Sequence, residues 1–112
     1  MAKLETTVKG SLEQIAAKIH EGISGMSSSA SFEDESILRL PGGGTARHMV
    51  YERYSIMGGN RVSLSIMLVD TGTDTVSISA ITSGGSQAMF FKINTIGEES
   101  FLNSLEEVLS EL

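Results

Sequence analysis

The sequence contains no cysteine, no tryptophan and a single proline. Without cysteine there can be no disulfide bond, no thiol nucleophile and no zinc site that needs sulfur ligands. The aromatic residues are two tyrosines and four phenylalanines, whereas methionine occurs six times. We therefore expect a core built from aliphatic and methionine side chains.

Basic residues and long apolar runs are also scarce. Eight Lys and Arg stand against fourteen Asp and Glu, for a formal net charge of −6, and this charge repels nucleic acid. Apolar runs are a few residues long, against the roughly 20 that cross a bilayer. The segment 1–5 has no apolar stretch typical of a signal peptide. We expect a cytoplasmic protein whose partners include neither nucleic acid nor a membrane.

The length of 112 residues suits one domain over 1–112 with one core. Ser11 with Gln14, and Thr95 with Glu98, are capping-box patterns that predict two helix starts. The apolar residues after each start recur at helical spacing. They are Leu12, Ile15, Ala16, Ile19, Ile23 and Met26 in the first stripe, and Phe101, Leu102, Leu105, Val108, Leu109 and Leu112 in the second.

The rest of the chain has the composition of strands. A short strand opens the sequence before Gly10, residues 29–40 form one strand or two, and residues 45–83 are β-rich with breaks at 58–60 and 71–73. Residues 88–94 are strand or loop. The predicted class is α+β in the order β-α-β-β-β-β-α, an antiparallel sheet with two amphipathic helices on one face.

Strand register follows from the apolar rows at even positions of 62–68 and 76–80. A three-residue turn at 71–73 sets Leu68 opposite Val76, and a one-residue slip would reverse the faces. The same reasoning at 58–60, where the register is less fixed, puts the even positions of 45–57 on the helix-covered face. Those facing the helices would be His48, Val50, Glu52, Tyr54 and Ile56, and those facing away would be Arg47, Met49, Tyr51, Arg53 and Met57.

The order of elements is similar to the TATA-binding-protein-like arrangement and to a short helix-grip domain. The stretch Ile81-Thr82-Ser83-Gly84-Gly85-Ser86, continued by Gly97-Glu98-Glu99, resembles a small uncharacterised bacterial family of unknown function. That second resemblance implies no activity.

One tripeptide is similar to a known active-site motif. Asp70-Thr71-Gly72 resembles the active-site tripeptide of retroviral-type aspartic proteases, and this resemblance implies two carboxylates that share a proton across a dimer axis. The alternative is a polar hairpin turn between two core strands, which the strand pairing already requires.

A cluster of polar side chains in the third predicted strand is a candidate ligand site. Only His20 and His48 could act as imidazole bases, and His48 lies within this cluster. The arginines would suit a small anionic ligand. We expect no metal, no cofactor and no assigned catalytic residue. The candidate ligand-binding residues are Arg47, His48, Tyr51, Arg53 and Tyr54.

The face of the sheet away from the helices is rich in serine and methionine, and it has little charge for a solvated surface. Small polar residues mixed with methionine are typical of a subunit interface. We therefore predict a non-catalytic interaction or small-ligand-binding module that acts as a homodimer. The alternative is a small hydrolase that uses Asp70 or His48. The candidate interface residues are Met49, Met57, Ser63, Ser65, Met67, Ser77 and Ser79.

Overall fold

The computed structural model describes residues 2–26, 30–55, 60–84 and 91–112. The elements are β1 (Ala2–Lys9), α1 (Leu12–Met26), β2 (Ala30–Arg39), β3 (Thr45–Ser55), β4 (Asn60–Asp70), β5 (Thr75–Gly84) and α2 (Phe91–Ser110). This order confirms the predicted α+β class and the predicted succession of strands and helices.

The five strands form one antiparallel sheet in the order β1-β5-β4-β3-β2. Strands β2 to β5 follow one another as neighbours, and β1 closes the far edge beside β5. Because β1 and β2 lie at opposite edges, α1 crosses the sheet between them. Helix α1 packs against β2 and β4, and α2 packs against β1, β4 and β5. Both helices cover the same face of the sheet, which we call the inner face.

The core lies between the inner face and the two helical stripes. The even positions 62–68 of β4 and 76–80 of β5 are buried, as predicted, and so are the described residues of the predicted α1 stripe and most of those of the α2 stripe. Leu112 is exposed beyond the end of α2. The buried apolar residues are Leu12, Ile15, Ala16, Ile19, Ile23, Met49, Tyr51, Val62, Leu64, Ile66, Leu68, Val76, Ile78, Ala80, Phe101, Leu102, Leu105 and Val108.

The two predicted helix starts had different outcomes. Ser11 Oγ accepts a hydrogen bond from the Gln14 amide at 3.2 Å, so the cap of α1 is confirmed. Helix α2 begins at Phe91, and Thr95 therefore lies inside the helix rather than at its N-cap. The prediction at Thr95 was wrong because residues 91–94 contain no Gly or Pro to stop the helix from extending toward the N-terminus. Residues 88–94 were predicted as strand or loop; residues 91–94 are helical instead, and residues 88–90 lie outside the described residues.

The predicted facing of β3 is wrong. Tyr51 pairs with Leu64 and Met49 pairs with Ile66, so the odd positions of β3 face the helices. Ser55 pairs with Asn60, which leaves four residues in the connection instead of the odd number that we assumed. Changing the connection by one residue reverses every side chain of a strand. Ile56, which we predicted to face the helices, and Met57, which we predicted to face away, lie outside the described residues.

The β4–β5 hairpin keeps the predicted faces but has a different register. Leu68 pairs with Ile78 rather than with Val76, and Ile66 pairs with Ala80. The register is therefore shifted by two residues. A two-residue shift preserves the alternation, and this is why the apolar rows still meet on the inner face.

Strand β2 is one edge strand with a bulge. Its pairing with β3 shifts between Phe32 and Asp34, so Glu33 is an extra residue. The turn that follows uses Gly42, Gly43 and Gly44, with φ values of 83°, 103° and 99°. Three consecutive residues with positive φ require glycine, so this triplet is a tight turn between β2 and β3.

At Gly22 helix α1 packs closely against helix α2. A Cβ atom added there would overlap the Val108 side chain, whereas a Cβ atom at Gly25 would meet nothing within 4 Å. Glycine lowers helix propensity at both positions, but only at Gly22 does the packing require it.

We expect Gly22→Ala to lower the free energy of unfolding by about 1–3 kcal/mol through overpacking against Val108. The matched change Gly25→Ala should leave stability unchanged or raise it by up to about 1 kcal/mol, since alanine is the better helix former. Urea unfolding of both variants is the measurement. Equal stabilisation by the two substitutions would show that the helices do not meet at Gly22.

Candidate functional site

The helix-facing side of β3 carries a buried tyrosine joined to helix α1. Tyr51 is fully buried, and its hydroxyl lies 2.9 Å from Nδ1 of His20. The His20 ring meets the Phe32 ring edge-on, with centroids 5.2 Å apart. Three aromatic rings from α1, β2 and β3 therefore form one cluster at the side of the core.

The environment of Tyr51 keeps its hydroxyl protonated. Burial, and then the negative charge of Glu35, raises the pKa of Tyr51 to about 12, while Arg47 acts in the opposite direction. At neutral pH the phenol therefore carries its proton, and it donates to Nδ1 of His20 or accepts from it according to the imidazole tautomer. When it donates to Nδ1 of His20, the imidazole carries its own proton on Nε2.

An ion pair lies beside this aromatic cluster. Arg47 contacts the Oε2 atom of Glu35 through Nε at 3.0 Å and through Nη2 at 2.8 Å. Both side chains are half-buried, at 23% and 33% exposure. The bulge at Glu33 produces this arrangement, because it places Phe32 and Glu35 on the same face of β2 although they are three residues apart.

Arg53 occupies a separate place further along the inner face. Its guanidinium carbon lies 4.6 Å from the centroid of the Phe101 ring, at the distance of a cation–π contact. Burial lowers the pKa of Arg53 from its ordinary value. Arg53 therefore contributes to the packing of α2 on the sheet.

The five predicted ligand-binding residues divide between the two faces of the sheet. Each of them lies on the face opposite to the one that we predicted. Arg47, Tyr51 and Arg53 face the helices, and His48 and Tyr54 face away from them. The structure brings Arg47 and Tyr51 together with three residues that we did not predict. Those residues are His20, Phe32 and Glu35.

The second face of the sheet, which we call the outer face, consists of the odd positions of β1, β4 and β5, the even positions of β3, and the positions of β2 that pair with those of β3. Ser63, Ser65, Met67, Ser77 and Ser79 all lie on it, as predicted. Met49 does not, because the reversed facing of β3 buries it beneath α1. Met57 lies outside the described residues.

The centre of the outer face is apolar or uncharged, and two ion pairs lie toward its margins. Met67 is 47% exposed and Ile81 43% exposed. At one margin Lys3 lies 3.9 Å from Glu5. Toward the opposite side of the face, Arg61 Nε donates to Glu52 Oε1 at 2.8 Å. The exposed apolar side chains of this face therefore lie among small serines, and two ion pairs lie toward its margins.

The turn after β4 holds the Asp70 carboxylate in a local hydrogen bond. Asp70 Oδ1 accepts from the Gly72 amide at 2.8 Å, and Gly72 has a φ of 95°. An aspartate that bonds the amide two residues ahead is a turn-forming arrangement. This geometry agrees with the hairpin interpretation of the tripeptide.

A family model matches residues 1–112, the whole chain. The chain belongs to DUF6054, a family of unknown function. No curated protein and no solved structure matches the chain. The match confirms the resemblance to an uncharacterised family, whereas the TATA-binding-protein-like and helix-grip resemblances are not confirmed. Among the described residues of this DUF6054 chain, neither helix is long and apolar enough to span a membrane.

Proposed function

We propose that this DUF6054 chain is a non-catalytic interaction module that forms a homodimer through its outer face. The observation that supports this most is the composition of that face. Its centre exposes Met67 and Ile81 among small serines, while two ion pairs, Lys3–Glu5 and Arg61–Glu52, lie toward its margins. Burying such a centre removes apolar area from water without isolating a charge.

The size of the outer face is sufficient for a stable dimer. Five strands about 4.8 Å apart, each about eight residues long at roughly 3.3 Å per residue, make a face of roughly 600 Å². Two such faces bury roughly 1,200 Å² in total, above the roughly 1,000 Å² that a specific interface needs. A two-fold axis makes this contact isologous, so one patch serves both protomers.

The serines of the outer face allow two sheets to approach closely. Ser63 Oγ and Ser83 Oγ lie 2.8 Å apart, and Ser65 Oγ lies 2.6 Å from Nε2 of His48. These hydroxyls are therefore hydrogen-bonded within each protomer before any association. Covering Ser63, Ser65 and Ser83 therefore leaves their hydroxyls satisfied.

Cross-linking through one introduced thiol tests which face meets its copy. The chain has no cysteine, so Met67→Cys and Lys18→Cys each carry a single thiol. A bismaleimide with a reach near the roughly 10 Å between packed sheets should join two Met67→Cys chains. It should leave Lys18→Cys, exposed on α1, as single chains on a denaturing gel. Equal yields from the two variants, or cross-linking of Lys18→Cys alone, would contradict the proposed face.

The alternative proposal, a small hydrolase, has one observation in its favour. His48 Nε2 and Ser65 Oγ lie within hydrogen-bond distance, and a base beside a hydroxyl can activate a nucleophile. Catalysis of that kind also uses an acid to orient the base. In the described part of the chain no carboxylate hydrogen-bonds to His48, so the non-catalytic proposal is better supported.

A further inference from the structure

The inner face of β2 is only partly covered by α1. Phe32 is 42% exposed and Ile37 50% exposed, although both lie on the side that the helices cover elsewhere. Two adjoining hollows of about 310 Å³ each occupy the space between α1 and this open strand. Glu13 and Arg47 line both hollows, so the two form one groove, each half of which is large enough for a small ligand.

The floor of the groove presents both signs of charge side by side. The Arg47 guanidinium has five N–H donors, and its contact with Glu35 uses one oxygen of that carboxylate, Oε2. Glu13 adds an acid at the helix side, and Arg39 adds a base at the far end, where its Nη1 donates to Thr45 Oγ1 at 3.1 Å. The groove therefore combines cations and carboxylates rather than forming a purely cationic site.

One end of the groove is apolar. Phe32 and Met49 line it from the sheet, and Ala16 and Ala17 line it from α1. The two alanines are small, so a ligand can lie close to the helix. His20 holds the Phe32 ring by its edge-on contact at 5.2 Å, which fixes the aromatic surface on which an apolar group would rest.

We propose that this groove binds a zwitterionic small molecule that carries an apolar or aromatic group, of the chemical class of the α-amino acids. Arg47 receives the carboxylate, Glu35 receives the ammonium group, and Phe32 contacts the apolar group. An ion pair with unused donors and acceptors is complementary to a ligand bearing both charges, since each charge of the ligand meets its opposite. The arginines of β3 led us to expect an anionic ligand, and the carboxylate of the zwitterion supplies that negative charge.

This inference goes beyond the proposed dimer and does not depend on it. The groove lies between α1 and the inner face, whereas the proposed interface is the outer face of the same sheet. A protein that proved to be monomeric could still bind the zwitterion, and a dimer could leave the groove empty. The two proposals therefore fail separately.

Thermal unfolding of the whole chain with three related probes tests the inference. L-phenylalanine carries both charges, 3-phenylpropionate lacks the amine, and phenethylamine lacks the carboxylate. At millimolar concentration we expect L-phenylalanine to raise Tm by several degrees, because a ligand that binds only the folded state stabilises it. Each of the other two probes should raise Tm by less than half as much.

Three variants locate the binding. Ala17→Trp fills the groove from an exposed helix position and should abolish the shift. Glu35→Gln should reduce the shift with L-phenylalanine while leaving that with 3-phenylpropionate unchanged. Glu21→Gln makes the same chemical change on α1 outside the groove and should keep the full shift. No shift in the wild type, an equal shift with 3-phenylpropionate, or a shift that survives Ala17→Trp would overturn the proposal.

Discussion

Replacing Leu105 by alanine should lower the free energy of unfolding by about 2–5 kcal/mol. Leu105 is fully buried on α2 and belongs to the core cluster between the helices and the sheet. Truncation removes the apolar contacts of its side chain and leaves a cavity, because a close-packed core relaxes only partly. An effect of this size is a large part of the roughly 5–15 kcal/mol that stabilises a typical small domain.

A matched control for Leu105→Ala is Leu112→Ala, near the end of the same helix. Leu112 is 47% exposed, so the same substitution there should change stability by less than about 0.5 kcal/mol. Urea unfolding of both variants at one fixed protein concentration is the measurement, since association would add a concentration-dependent contribution to stability. Similar losses from the two variants would contradict the packing of α2 on the inner face.

Introducing a charge at the centre of the outer face should dissociate the dimer. Met67→Lys would place an ammonium group without a partner between two packed sheets, and isolating a charge from water is unfavourable by several kcal/mol. We expect the dimer dissociation constant to rise at least about 100-fold, which corresponds to about 2.7 kcal/mol. The fold should persist because the Met67 side chain points away from the core.

Thr7→Lys is the control for Met67→Lys, since it introduces the same charge on an exposed outer-face position of the edge strand β1. Near the rim the new ammonium group stays in water, so we expect at most a few-fold change in the dissociation constant. Light scattering over a dilution series measures both variants. If the dissociation constant of Met67→Lys equals that of the wild type, the outer face is not the dimer interface.

Much of the fold was predictable because its apolar patterns are long and regular. The stripe from Leu12 to Ile23 and the stripe from Phe101 to Val108 fix which helix faces are buried. The even rows of β4 and β5 fix their inner face even though the pairing register differs by two residues. Each of these patterns repeats over several residues, so an error at one position does not change the result.

The candidate site could not be predicted to the same extent because it depends on single residues in connections. The four-residue connection between Ser55 and Asn60 decides the facing of β3, and with it the positions of Arg47 and Tyr51. The bulge at Glu33 decides that Phe32 and Glu35 share a face. Neither feature leaves an apolar period in the sequence. One signal was present in the sequence of β3: Met49 and Tyr51 are large apolar residues two positions apart, a spacing that predicts that both face the core.

Sedimentation equilibrium of the wild-type protein tests the central proposal most directly. The chain has a mass of 11.9 kDa, and association through the outer face predicts a particle of twice that mass at high micromolar concentration. Met67→Lys, run at the same concentration, should sediment as the single chain. A wild-type particle of 11.9 kDa under these conditions would contradict the homodimer.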